Sequence, residues 1–323
     1  DHEIIEEEHI NIKGENFIEK YEQSDGKNCS ISIVECSFTN IQSEAILVKN
    51  GKASLYITSS FFSSCKANEG IIHLERSRCL TITHVCALNP KTGSTCAFLY
   101  YDCVKTDFSV CLYDTIVNAE SNNANDAKVI VCKSGDQYYR CNNITNCQAT
   151  AYQFDAPNCF SFSMNTVIKC STYCIQLSGY KSEECNKTYD KIISNSNLFS
   201  ESIILRFELQ CLMDITIEDS VLFSKENKFY TIGDNLHGPE TFTIKNCIVN
   251  SNFASDTSIK ATFDNCIEVN YDESHQTLRP HYTYGEYCQG AKRKDDSVAY
   301  GCNVDKCLDE ICGKTIGFPE GVV

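Results

Sequence analysis

A strand–corner–strand phrase of about 25 residues recurs along this chain, and few folds accommodate such a period. In its clearest copy, Cys29 to Gly51, an alternating run Ile31 to Phe38 passes through a polar corner at Thr39 and Asn40 into Ala45 to Val48. With Ile33 as anchor, equivalents fall at Ile12, Ile57, Ile82, Phe108, Cys141, Phe162, Ile193, Ile217, Ile244 and Phe263. These eleven anchors cover 251 residues in ten steps of 19 to 33.

Five residues after the anchor stand Phe17, Phe38, Phe62, Ala87, Tyr113, Asn146, Val167, Leu198, Leu222, Val249 and Glu268, of which nine can face a core. Seven after it, Asn40, Ser64, Asn89, Thr115, Ser200, Ser224, Ser251 and Asn270 mark a corner, because short polar side chains bond their own backbone. A second apolar run follows in most copies, as in Ala45–Val48, Gly70–Leu74, Ala97–Tyr100, Val129–Cys132, Tyr173–Leu177 and Ile203–Leu205. One copy cannot hide its own Ile and Phe, but copies stacked about 4.8 Å apart bury them against one another. The expected fold is therefore all-β: a single-stranded parallel β-helix of about eleven coils over residues 1–270, roughly 50 Å long. A two-sheet sandwich is the competing architecture, since irregular steps also suit antiparallel loops. Leucine-rich and helical repeats fit worse, for Ile and Phe predominate with strand alternation.

The 22 cysteines, with no Cys-x-x-Cys spacing, point to an oxidising compartment rather than to metal clusters. Disulfide candidates are the Cys-x6-Cys pairs Cys29/Cys36, Cys79/Cys86 and Cys96/Cys103, and the rung-to-rung pair Cys247/Cys266. The latter two share with Cys36 and Cys111 the position three after the anchor, where Ser60, Ser196 and Ser220 also sit. Sequons at Asn28, Asn143 and Asn186 agree with glycosylation in the secretory pathway. The chain begins at Asp1 without an apolar leader, as expected of a form whose signal peptide has been removed, and a membrane anchor beyond Val323 is compatible with it. From about Tyr271 the repeat stops, and residues 271–323, with Cys288, Cys302, Cys307 and Cys312, are expected to form a disulfide-stapled C-terminal cap and the start of a linker. A zinc knuckle there is the alternative, although Cys-x4-Cys-x4-Cys is not a familiar zinc spacing.

Corners such as Phe38-Thr39-Asn40 leading to Ala45-Ile46, and Phe62-Ser63-Ser64 leading to Gly70-Ile71, resemble the repeats of polymorphic membrane proteins, as does Phe162-Ser163-Met164-Asn165. The resemblance covers roughly residues 10–270. It implies a right-handed β-helix on the surface of a cell of chlamydial or trichomonad type, with adhesion as its role.

A net charge of −15 opposes nucleic-acid binding, and the basic run Lys292-Arg293-Lys294 is followed at once by Asp295-Asp296. The motifs of pectin-degrading β-helix hydrolases do not occur: the coils hold no paired Asp-Asp, and Leu236-His237-Gly238 lacks the first Gly of Gly-His-Gly. The nearest acidic group for a lyase-type cation is Asp214, Glu218, Asp219 and Asp234, with Arg206 and Lys225 around it. His73 and His84 read as strand residues, and His275 with His281 as a weak loop pair. Tyrosine pairs Tyr100/Tyr101 and Tyr138/Tyr139, and the group Tyr282, Tyr284 and Tyr287, suit protein or glycan recognition. The long steps place extra residues at Asn118–Lys128 and Ser178–Asp190, as loops on a binding face. No catalytic residue, metal or cofactor is assigned. The expected role is a non-enzymatic extracellular ectodomain in adhesion or structure, contacting protein, glycan or neighbouring copies. A carbohydrate-active lyase or hydrolase and an extracellular filament subunit are the alternatives.

Overall fold

The computed structural model describes residues 8–112, 114–122, 126–155, 159–163, 165–178, 191–194, 196–209, 214–233, 236, 238–239, 241–250 and 261–269, with two short strands at 291–292 and 299–300. Between 8 and 269 the described residues form a three-sided parallel β-helix, and no helix occurs among the described residues. The first face stacks eleven strands, from Glu8–Lys13 and Cys29–Val34 to Thr241–Lys245 and Ala261–Asp264. An eleven-stranded sheet from Asn16–Phe17 to Ile267–Val269 makes the second. The third runs from Tyr21–Gln23 to Lys228–Ile232 and passes through Lys128–Lys133, Thr150–Asp155, Tyr173–Ser178 and Ile203–Glu208. The solenoid makes about eight turns, slightly fewer than the eleven coils expected, while the first two faces carry eleven rungs each and the third nine.

Alternation explains which side chains enter the core. On the first face one inward column runs Ile12, Ile33, Ile57, Ile82, Cys111, Tyr139, Phe162, Ile193, Ile217, Ile244 and Phe263. Nine of the expected anchors hold. Phe108 and Cys141 are replaced by Cys111 and Tyr139, so the steps range from 21 to 31 before the last one of 19. On the second face the column reads Phe17, Phe38, Phe62, Ala87, Ile116, Ile144, Val167, Leu198, Leu222, Val249 and Glu268, with Ile116 and Ile144 in place of the expected Tyr113 and Asn146. Phe17, Phe38 and Phe62 stack with ring centroids 4.6 and 4.7 Å apart, the rung spacing itself. Where Ala87 leaves the column short, Phe98 from the third face packs edge-on against Phe62 at 5.9 Å.

Corners need residues that tolerate a left-handed backbone. Between the first and second faces, Glu35, Ser59, His84, Cys141, Asp219, Asn246 and Asn265 have φ of 49–57°, and between the second and third, Asn40, Ser64, Asn89, Asn118, Asn146 and Lys169 have φ of 52–58°. Asn and Ser predominate because their side chains bond locally. Thr115, expected at a corner, lies within the strand Thr115–Val117, and Asn118 takes its place.

Directly after the first corner most passes bury a small polar group, and these groups link successive rungs. Asp114 N–H donates to Asn142 Oδ1 and Asn142 N–H to Asn165 Oδ1, both at 2.9 Å. Asn142 Nδ2 in turn donates to Cys111 O, and Asn165 Nδ2 to Tyr139 O. Asn165 N–H reaches Ser196 Oγ at 3.3 Å, and Ser196 N–H reaches Ser220 Oγ at 3.1 Å. The column satisfies backbone amides that no strand pairing uses.

Cysteine takes the same position. The thiols of Cys36, Cys247 and Cys266 lie 3.7, 3.8 and 3.4 Å from the carbonyls of Ile12, Ile217 and Ile244 in the preceding rung. Cys247 and Cys266 do sit on adjacent coils, but as free thiols. Of the other expected bridges, none forms at Cys29, Cys36, Cys79, Cys86 or Cys96. The reason is reach: a Cys-x6-Cys spacing along extended strand separates the residues by about 20 Å, whereas a disulfide needs Cα atoms within roughly 7 Å. The Cys103 side chain and Cys288, Cys302, Cys307 and Cys312 lie outside the described residues, as does the expected cap apart from the antiparallel pair Ala291–Lys292 and Ala299–Tyr300. Cys111 belongs to the inward column rather than to the corner, where Asp114 stands.

Burial governs the thiol chemistry. It pushes Cys96 and Cys132 up to about 12, and Cys147 up as well. Iodoacetamide should leave these three unmodified in the native chain and label them once urea opens it, as peptide mapping would report. Truncating Phe38 to Ala should cost about 3–5 kcal/mol in denaturant unfolding. Asn142→Ala should cost roughly 1–3 kcal/mol by stranding the Asp114 amide and the Cys111 carbonyl.

Candidate functional site

On the third face, alternate residues leave the core side and form two outward columns. One runs Tyr100, Val131, Gln153, Gln176, Arg206, and the other Asp102, Lys133, Asp155, Ser178, Glu208. Between them Tyr101, Cys132, Phe154, Leu177 and Phe207 point inward and are buried. The strands Lys91–Leu112, Lys128–Lys133, Thr150–Asp155, Tyr173–Ser178 and Ile203–Glu208 carry these columns over five rungs, about 19 Å along the axis, with Tyr100, Asp102, Lys133, Gln153, Asp155, Arg206 and Glu208 partly exposed and Val131, Gln176 and Ser178 buried.

Two cation–tyrosine pairs bracket this surface. Lys133 Nζ donates to Tyr100 OH at 2.6 Å and lies 4.9 Å from the ring centroid. Arg206 Nη1 donates to Tyr173 OH at 2.9 Å, with the guanidinium 5.2 Å from that ring. Arg206 Nη2 also pairs with Glu208 Oε1 at 2.6 Å, while Gln176 Nε2 donates to Glu208 Oε2 at 2.8 Å. Between the pairs lies Asp155. Burial raises its carboxyl above the usual range, Lys133 pulls it down, and Asp102 and Glu208 push it up again. The surface therefore offers aromatic faces, fixed cations, a carboxamide and a carboxyl that holds its proton unusually well.

Other expected positions disperse. Asp214 and Glu218 stand at opposite ends of one first-face strand, and Asp219 lies on an exposed corner, accepting from Asn246 Nδ2 at 3.2 Å. Lys225 pairs with Glu201 at 2.9 Å, and Arg206 faces Glu208 instead. Asp234, His237, His275, His281, Tyr282, Tyr284, Tyr287 and Asn186 lie outside the described residues, as do 179–190 of the second expected loop. In the first loop, Glu120–Ser121 pair as a short strand with Lys91 and Thr92. Tyr101 and Tyr139 turn inward, leaving Tyr100 and Tyr138 as the outward members of their pairs. Asn143 is a correction: it lies in the strand Asn143–Cys147 with 3% exposure, and a glycan on it is incompatible with the packed coil. Asn28 remains half-buried at the start of a rung. A shallow depression of about 140 Å³, lined by Gln42, Glu44, Lys66 and Asn68, is smaller than usual ligand pockets.

Sequence reading alone passed over Lys133, Gln153, Asp155, Tyr173, Gln176 and Glu208. The signal for them is the second apolar run itself: aligning those runs rung to rung puts the outward residues in register. Comparison with known proteins finds no relative: no family model matches the chain, and no curated protein or solved structure does so.

Asp155 makes stability depend on pH in a definite direction. Its folded-state pKa stands above the unfolded one, so its contribution is fully present below the unfolded value and is lost as pH rises through the folded value. Asp155→Asn should remove that part of the decline and leave the variant the more stable form near neutrality. Urea melts across the acid-to-neutral range would show it.

Proposed function

We propose that the chain is a non-enzymatic ectodomain, secreted or displayed at a cell surface, that holds glycan or protein partners in adhesion through the outer side of its third face. One observation carries this reading: Tyr100–Lys133 and Tyr173–Arg206 sit on the same face, with Tyr100, Gln153, Gln176 and Arg206 in one register column and Lys133 and Glu208 in the next. Glycans are recognised by aromatic faces joined to planar, bidentate polar groups, and an extended oligosaccharide matches a run of equal steps along a rod. The sequon at Asn28, and the likeness of the Phe-centred corners to repeats of surface proteins, support an extracellular setting. Outward polar positions held by rigid strands also need little ordering when a partner binds. Immobilised glycans, acidic and neutral, should retain the full chain, and Tyr173→Ala or Arg206→Ala should weaken retention at least tenfold, about 1.4 kcal/mol. Lys13→Ala, in the exposed pair with Glu35 on the first rungs, should leave it unchanged. Equal retention of all three variants would remove the third face from the proposal.

A carbohydrate-active enzyme is the second reading, favoured by Asp155. Burial raises the pKa of its carboxyl, as in a general acid, and Asp102 and Glu208 stand two rungs away on either side at about 10 Å. Incubation with polygalacturonate and Ca²⁺, followed by detection of unsaturated or reducing ends, separates the two readings. Product formed by the native chain and abolished in Asp155→Asn would replace adhesion with catalysis.

A further inference from the structure

Next to Tyr100, on the preceding rung, His73 is held in an unusual setting. Its side chain is 3% exposed, although it stands on the outward side of the strand Ile72–Thr83. Gly70, with φ of 101°, turns the chain just before it. A Cβ there would lie 2.8 Å from Tyr100 N, so no other residue permits this approach. The turn brings Glu69 back beside the ring, while Glu75, two residues on along the strand, projects to the same side. Glu69 Oε2 lies 3.7 Å from Nδ1 and Glu75 Oε1 lies 3.5 Å from Nε2. Tyr100 packs edge-on at 4.9 Å and shields the ring from water.

These distances are too long for hydrogen bonds, and Nε2 has no partner. A neutral imidazole carries one N–H and one lone pair, so one carboxylate must face a lone pair whichever tautomer forms. Protonation would relieve this, but burial pulls the His73 pKa down against the raising effects of Glu69, Glu75 and Glu44, with Lys49 adding to the lowering. The arrangement is thus a buried lone pair and two carboxylates with nothing positive among them except Lys49, which reaches Glu75 at 3.2 Å from the rim.

We propose that Glu69, His73 and Glu75 bind a divalent transition-metal ion of the zinc class. A single ion takes one ring nitrogen; with one ligand atom from each residue within 4.8 Å of the others, and bonds of about 2.0–2.2 Å setting ligand atoms roughly 3–3.5 Å apart, the half-exposed glutamate side chains close on the ion by about 1–2 Å. One imidazole and two carboxylates suit zinc, cobalt or manganese, with water completing the shell. Bound there, the ion ties the strand Lys66–Glu69 to the strand Ile72–Thr83 that follows it. The assignment is independent of the adhesive reading of the neighbouring face.

Cobalt(II) tests it, because its spectrum distinguishes nitrogen and oxygen ligands from sulfur in a chain with 22 cysteines. Chelator-treated full-length protein, titrated with Co²⁺, should bind one ion whose visible bands carry no sulfur-to-metal charge transfer and which Zn²⁺ displaces. His73→Gln should abolish that component. Glu75→Gln, at a half-exposed position that leaves folding intact, should weaken it at least about tenfold and so keep the test decisive if the histidine variant fails to fold. Binding should fall as pH drops and the imidazole is protonated. Glu218→Gln is the control and should change nothing. The proposal is overturned if cobalt binds only with thiolate bands, if it does not bind, or if Glu75→Gln binds as the parent chain does.

Discussion

No coil of this chain can shield its own interior: between the end rungs, each inward side chain is covered by the same position one rung above and one below. That single requirement fixes the equal rise, the parallel register and the alternation on all three faces. It also accounts for the stacked Phe17, Phe38 and Phe62, since rings related by the rung spacing meet at the separation that offset stacking prefers. Where the column thins at Ala87, neighbouring faces lend bulk through Phe98, and the core stays filled without breaking the ladder.

The corners solve a second problem. A chain that turns sharply exposes amides and carbonyls that strand pairing would have used, and a buried one is costly. Asp114, Asn142, Asn165, Ser196 and Ser220 answer this with side chains that reach the adjacent rung, and Cys36, Cys247 and Cys266 occupy equivalent places with weaker donors. Cysteine abundance in this chain thus has a packing explanation. A small, apolar residue with a modest polar tip fits a column where a hydroxyl or a thiol serves equally.

The repeat was legible because Ile and Phe recur at one position in nine rungs and because Asn and Ser announce the left-handed corners at Asn40, Ser64 and Asn89. It failed at the two rungs whose inward residues are Cys111 and Tyr139. There Phe108 and Cys141 looked like better anchors, and only the corner bonds of Asp114 and Asn142 settle the frame. The outward columns were illegible for a related reason. Tyr100 and Lys133 are 33 residues apart, as are Tyr173 and Arg206, so a slip anywhere between them scrambles the surface. His73 was visible as a strand residue. Its setting between Glu69 and Glu75 depends on the Gly70 turn, which a linear pattern does not display.

The hydrogen bonds that join rung to rung run along the rod, and the described chain enters at one end and leaves at the other. Tension between the two termini therefore loads these bonds one rung at a time, as in peeling tape, rather than all at once as in shear. Each rung that lets go would release about 25 residues, a gain of roughly 80 Å in contour length. Such a rod yields early and extends far under pull, absorbing work in many small steps while the coils still wound remain intact.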